Sequence, residues 1–204
     1  MTGPVLVTLG MIAVVMLLVG IVVTGLVLSS KRRSALMELA AREGLAFARQ
    51  DDQFAQVLVS FPLFNCGFGR KARNVLTGDS GAGEFWIFDY QYTIRAGKHL
   101  HTHKQTVFVF PRLQADLPVL ELRPENLLHK IGAMFGYQDI DFFEHPEFSS
   151  RYLVRGGEAD RVRALFTPEL IAAFAASLSG VSVEGGGSCI LAYRSRRLSK
   201  PDQL

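Results

Sequence analysis

The chain carries an uncharged apolar run from Val5 to Leu28, followed at once by Lys31, Arg32 and Arg33. An α-helix rises about 1.5 Å per residue, so roughly 20 apolar residues match the ~30 Å hydrocarbon core of a bilayer. Lipid offers the backbone no hydrogen-bond partner, so a run placed there must be helical. The pattern predicts a transmembrane helix over residues 5–28. A cleaved signal peptide would show a basic start, a shorter apolar core and a small-x-small cleavage site. Met1 to Pro4 holds no Lys or Arg, and no Ala-x-Ala follows the run. All flanking charge stands on the C-terminal side, and such charge stays cytoplasmic. The expected localisation is the inner (plasma) membrane, single-pass, with the N-terminus outside and the C-terminal domain cytoplasmic. A lipid bilayer, met through residues 5–28, is the first expected partner. Lys31, Arg32 and Arg33 read as a topology signal.

About 170 residues follow, enough for one domain with its own core. Fifteen phenylalanines supply large apolar area. The formal net charge of +3 is small, and no Arg/Lys stripe with interleaved aromatics is present. Nucleic acid is therefore not an expected partner. The two cysteines, Cys66 and Cys189, form no CxxC pair and suggest no zinc site; a cytoplasmic domain would keep them reduced, whereas a bridge between them would fit an exported one.

Ser34 to Glu43 reads as a short helix rich in Ala, Leu, Met and Glu, with Leu36, Leu39 and Ala40 as its apolar stripe and Gly44 as its stop. Arg49 to Gln53 reads as a hinge. The expected divisions are a transmembrane helix over 5–28, a juxtamembrane helix and hinge over 29–53, a soluble domain over 54–197 and a disordered tail over 198–204. Ala72 to Thr77 is a first expected strand. In Glu84 to Ile94, Trp86, Phe88, Tyr90 and Tyr92 alternate with Ile87, Asp89, Gln91 and Thr93, the period of a half-buried strand. A turn at Ala96-Gly97 would place Tyr92 opposite His101 on the returning strand, Leu100 to Pro111. Val119 to Leu122 is a short strand, and Pro124 to Phe135 has helical spacing. Tyr152 to Arg155 reads as a strand and Ala159 to Phe166 as a helix. Thr167-Pro168-Glu169 opens a further helix, with Thr as cap and Pro at the first position. Val181 to Val183 and Cys189 to Tyr193 form a hairpin around Gly185-Gly186-Gly187. The expected fold class is α+β: an N-terminal transmembrane helix, then one soluble domain with a mainly antiparallel sheet and three or four short helices.

Several short motifs carry a resemblance. These are Arg73-Asn74-Val75-Leu76-Thr77-Gly78, Phe88-Asp89-Tyr90-Gln91-Tyr92-Thr93, Lys104-Gln105-Thr106-Val107, Asp139-Ile140-Asp141-Phe142, His145-Pro146-Glu147-Phe148 and Leu165-Phe166-Thr167-Pro168. Together they resemble uncharacterised bacterial proteins with one N-terminal membrane span and a soluble domain of unknown function. The resemblance implies a membrane anchor and assigns no catalytic, cofactor-binding or metal-binding residue.

Two groups of residues have chemistry to weigh. His99, His101 and His103 alternate, so a strand would turn all three to one face. Imidazoles can hold Zn²⁺ or Cu²⁺, but neighbours on a strand face lie ~6–7 Å apart, which is wide for one ion. Asp139, Asp141, Glu144, His145 and Glu147 could hold a hard cation or move protons, yet they lack the spacing of an EF-hand loop. Gly67-x-Gly69 and Gly81-x-Gly83 do not extend into phosphate-binding fingerprints. Ser149 and Ser150 lack a nucleophile elbow. Asp89, inside an aromatic strand, is expected to bond to a neighbouring strand or loop. The function class this favours is a membrane-anchored, non-catalytic binding or interaction module with no cofactor and an unnamed protein or ligand partner. The alternative is a metal-dependent or acid–base hydrolase using the 139–147 stretch or the His99–His103 row.

Overall fold

The computed structural model describes residues 3–51, 58–125, 137 and 139–204, with side chains from Met16 onward. The expected boundary near residue 54 lies outside the described residues, as does the expected helix from residue 126 on. A single helix, α1, runs unbroken from Gly3 to Glu43. The strands are β1 (Ala46–Gln50), β2 (Phe68–Ser80), β3 (Gly83–Ala96), β4 (His99–Phe110), β5 (Leu117–Pro124), β6 (Tyr152–Gly156), β7 (Ser182–Gly187) and β8 (Cys189–Tyr193). Short helices stand between them: α2 (Pro62–Asn65), α3 (Pro146–Arg151), α4 (Ala159–Leu165) and α5 (Pro168–Ala175). The strands form one sheet in the order β1-β2-β3-β4-β8-β7-β5-β6, and every pairing is antiparallel.

This architecture corrects the expected fold class. The domain is organised by its eight-stranded sheet, and the N-terminal element is not a separate spanning helix. No helix among the described residues is long and apolar enough to cross a membrane. The physical reason is continuity. The helix that carries the apolar run passes on through Ser29, Ser30 and three cations and ends against the sheet. The transmembrane, single-pass and inner-membrane expectations are overturned with it, as is the outward N-terminus with a cytoplasmic domain that rested on them. Nor is Ser34–Glu43 a separate juxtamembrane helix. It is the last part of α1, and it lies on the sheet.

Three cores follow from the period of the strands. One face of β3 presents Trp86, Phe88, Tyr90 and Tyr92, which meet Val107 and Val109 of β4, Leu191 and Tyr193 of β8, and the segment from Leu58 to Cys66. Phe61 and Phe64, within that segment, are buried. The opposite face presents Leu76 and Ile87 to Leu36, Leu39 and Ala40 of α1. The third core joins β5, β6 and β7 to α3, α4 and α5 through Leu122, Phe148, Val154, Val162, Ile171 and Phe174.

Local chemistry sets the turns. β3 and β4 pair Tyr92 with His103 and Ala96 with His99, so the turn residues are Gly97 and Lys98, not Ala96 and Gly97. Gly97 takes φ 60°, a left-handed conformation that glycine adopts without steric cost. In β2 the register slips between Arg73 and Leu76, and Asn74 takes φ 50° there. A bulge of this kind re-aims a side chain, and Asn tolerates the left-handed region better than most residues. The polar segment expected as a hinge instead begins inside β1, which pairs Gln50 with Arg73. The tail expected to be disordered also has structure: Pro201–Gln203 forms a 3₁₀ turn, and Leu204 packs beside α1.

Because α1 covers one sheet face, its last turns belong to the domain. A chain starting at Ser30 should melt cooperatively. One starting at Leu45 loses two buried leucines worth ~3–6 kcal/mol and exposes Leu76 and Ile87. It should aggregate or melt far lower by circular dichroism. Equal melting temperatures would show that α1 is not part of the fold.

Candidate functional site

The structure separates the residues that the sequence groups together. His99 and His101 are exposed, with ring centroids 6.5 Å apart. His103 is buried, its ring 5.3 Å from that of Tyr92. Burial lowers the His103 pKa, and the neighbouring Arg196 and His101 lower it further. In the acidic stretch, the Asp139 carboxylate accepts from Arg155 Nε at 2.7 Å. Ser149 Oγ accepts from the Phe142 amide, and Ser150 Oγ donates to the Glu147 carbonyl, so both hydroxyls shape their own loop. Asp141 lines a small polar cavity with Asp139, Glu125 and Ser150. His145 lines a different one. Among the described residues no three His, Cys, Asp or Glu side chains could together hold a metal ion.

The cavity beside His145 is an apolar groove of about 460 Å³ between α3 and α5. Its origin is local. Thr167 Oγ1 accepts from the Leu170 amide at 3.3 Å, and Pro168 fixes the first turn of α5. Ile171 and Phe174 then point into the core, while the small Ala172 and Ala175 leave space towards α3. Glu144, Glu147 and Arg151 stand at the edge of this groove.

The second cavity, about 310 Å³, lies where α1 crosses β2, β3 and β4. Its foundation is Arg32. The guanidinium donates from Nε and Nη2 to the two Asp89 oxygens, each at 2.7 Å, in a bidentate pair. Asn74, re-aimed by the bulge, donates to Asp89 Oδ2 at 2.9 Å. Thr106 Oγ1 donates to Asp89 Oδ1 at 3.1 Å and accepts from the Ser199 amide at 2.9 Å. Arg32 Nη1 also donates to the Ser199 carbonyl. Arg32, read from sequence as a topology signal, is therefore the clasp between helix, sheet and tail. Around it the cavity shows Arg73 and Lys104 on one side and Gly25, Leu28 and Leu198 on the other.

A third polar set is enclosed in the core. Glu121 and Glu184 face each other across β5 and β7, and Arg123 pairs with both. Glu184 also accepts from the Leu63 amide at 3.1 Å and from Tyr193 Oη at 2.8 Å. Burial pushes the Glu184 carboxyl up to about 7, against the opposing pull of Arg123 and the two hydrogen bonds. Burial also pushes the Tyr193 hydroxyl well above its ordinary value, and the adjacent Glu184 adds to this. Sequence reasoning missed this set. Glu121 and Arg123 alternate with Leu120 and Leu122, a pattern that reads as one wet and one dry face.

No family model and no curated protein matches the chain. Among solved structures, the crystal structure of the mycobacterial trehalose monomycolate transport factor A, TtfA, is similar, with a TM-score of 0.57, 14% sequence identity, and coverage of 85% of this chain and 84% of that one. At that identity the likeness shows a shared fold alone.

Proposed function

We propose that this protein is a non-catalytic binding module. The observation that carries this reading is the scattering of its titratable side chains. Asp141 and His145 line different cavities, so the acid–base pair that the 139–147 stretch would need does not share a substrate. The buried carboxylates Glu121 and Glu184 are bonded within the core by Arg123, Tyr193 and the Leu63 amide. Asp89 is held by Arg32, Asn74 and Thr106. The remaining features suit recognition: an apolar groove beside α5 and a cationic cavity under α1. The fold shared with a protein named as a transport factor supports an accessory role over a catalytic one. The small formal charge of +3 supports a partner other than nucleic acid.

The reading predicts no turnover of p-nitrophenyl esters or phosphodiesters by the full chain, with or without added Zn²⁺ or Mg²⁺. Hydrolysis that disappears in both Asp141→Asn and His145→Ala would overturn it and establish the hydrolase alternative.

A further inference from the structure

We propose that the cavity between α1 and the sheet binds the phosphate-bearing headgroup of an anionic amphiphile. The proposal rests on the binding-module reading and names the ligand class. Its first support is charge. The cavity is lined by three cations, Arg32, Arg73 and Lys104, and one carboxylate, Asp89. Asp89 is already engaged on both oxygens by Arg32, so its charge is spent on the clasp. Arg73 and Lys104 are exposed, and neither forms an ion pair with another described residue. Two positive charges are thus left facing one space, where an oxyanion would find them without displacing any internal bond.

The second support is the opposite wall. Gly25 and Leu28 belong to the last turns of the apolar stretch of α1, and Leu198 comes from the tail. The same helix leaves Ile21, Val22, Leu26 and Leu28 each at least 60% exposed. A ligand that fits both walls carries its negative charge at one end and hydrocarbon at the other. Inorganic phosphate satisfies only the first wall, and a zwitterionic lipid brings a cation towards Arg73 and Lys104.

Gly25 supplies an independent handle. A Cβ at this position would meet open space, so a larger side chain fills the cavity without straining the helix backbone. The test uses the full chain in a neutral maltoside detergent, titrated by calorimetry with dioctanoyl phosphatidylglycerol, dioctanoyl phosphatidylcholine and glycerol 3-phosphate. We expect phosphatidylglycerol to bind at least tenfold tighter than either of the others. Arg73→Gln with Lys104→Gln should erase that preference and leave the melting temperature unchanged, because both side chains are exposed. Gly25→Phe should weaken phosphatidylglycerol to the same extent by occupying the space. Equal binding of the two lipids, or an unchanged preference in the double variant, would overturn the proposal. Glycerol 3-phosphate binding as tightly as the lipid would overturn the amphiphile and leave a simple anion site. Lipid recovered from the titration is examined by mass spectrometry. Cleaved lipid would sink the non-catalytic reading while leaving the binding result intact.

Discussion

Replacing Arg123 with methionine should cost the domain about 3–5 kcal/mol at pH 8 and much less at pH 5. The substitution keeps apolar bulk but leaves Glu121 and Glu184 facing each other in the core with no cation between them. Two enclosed carboxylates repel, and each has lost solvation, so protonation becomes the escape. The wild-type chain already shows the tendency. Glu184 has a folded value of about 7 against an ordinary 4.5, so the folded state holds the proton more tightly than the unfolded chain. A raised value contributes stability that is present below 4.5 and is lost as pH rises through about 7. Chemical denaturation between pH 5 and 8 should therefore show wild-type stability falling with pH across that window. Arg123→Met should steepen the fall, because the charge that pulls the Glu184 value down is gone. Glu184→Gln should flatten it. A melt for Arg123→Met that matches wild type at pH 8 would show that the guanidinium does not hold the pair.

Phe64→Ala should cost about 3–5 kcal/mol, enough to unfold a domain of ordinary marginal stability. Phe64 is 3% exposed, and its ring centroid lies 4.6 Å from that of Tyr90 and 6.2 Å from that of Phe88. Truncation leaves a void beneath α2 that neighbouring aromatic rings are too rigid to fill. Leu63 would shift with it, and its amide is one of the donors holding Glu184. Phe68→Ala provides the contrast, since Phe68 is 49% exposed and should change stability little. A urea midpoint for Phe64→Ala equal to that for Phe68→Ala would mean that the segment covering the sheet contributes little to its stability.

The two cases stand on opposite sides of what the sequence makes legible. The alternation through β3 is legible because each aromatic side chain reports its own face, and neighbours two residues apart agree. The start of α5 is legible because Thr167, Pro168 and Glu169 act within one turn, and the Thr167 bond to Leu170 forms as that pattern implies. The bond from Arg32 to Asp89 spans 57 positions, and nothing local to either residue signals it. A cation after an apolar run carries the same letters whether it faces a headgroup or a carboxylate. The membrane-spanning expectation failed for this reason: the flank was read as a boundary, whereas α1 continues across it onto the sheet. The buried Glu121–Arg123–Glu184 set was hidden by a related difficulty. Its strand has the pattern of a solvent-facing edge, and the cover comes from residues near Leu63, far back in the chain. Short strands suffered as well. β1 is polar at Arg49 and Gln50 because it lies at the sheet edge, and polarity there resembles a hinge.

The Arg32 clasp also has a mechanical meaning. Helix α1 is fixed to the sheet from Arg32 to Ala40 and extends back from that point to Gly3, about 40 Å at 1.5 Å per residue. Among the described residues it is held at this end, and Arg32 is its bearing. The same guanidinium donates to the Ser199 carbonyl, so α1 and the segment around Ser199 share that bearing. A sideways load on the far end of the helix is therefore delivered, multiplied by the lever arm, to the Asp89 carboxylate and to the C-terminal tail.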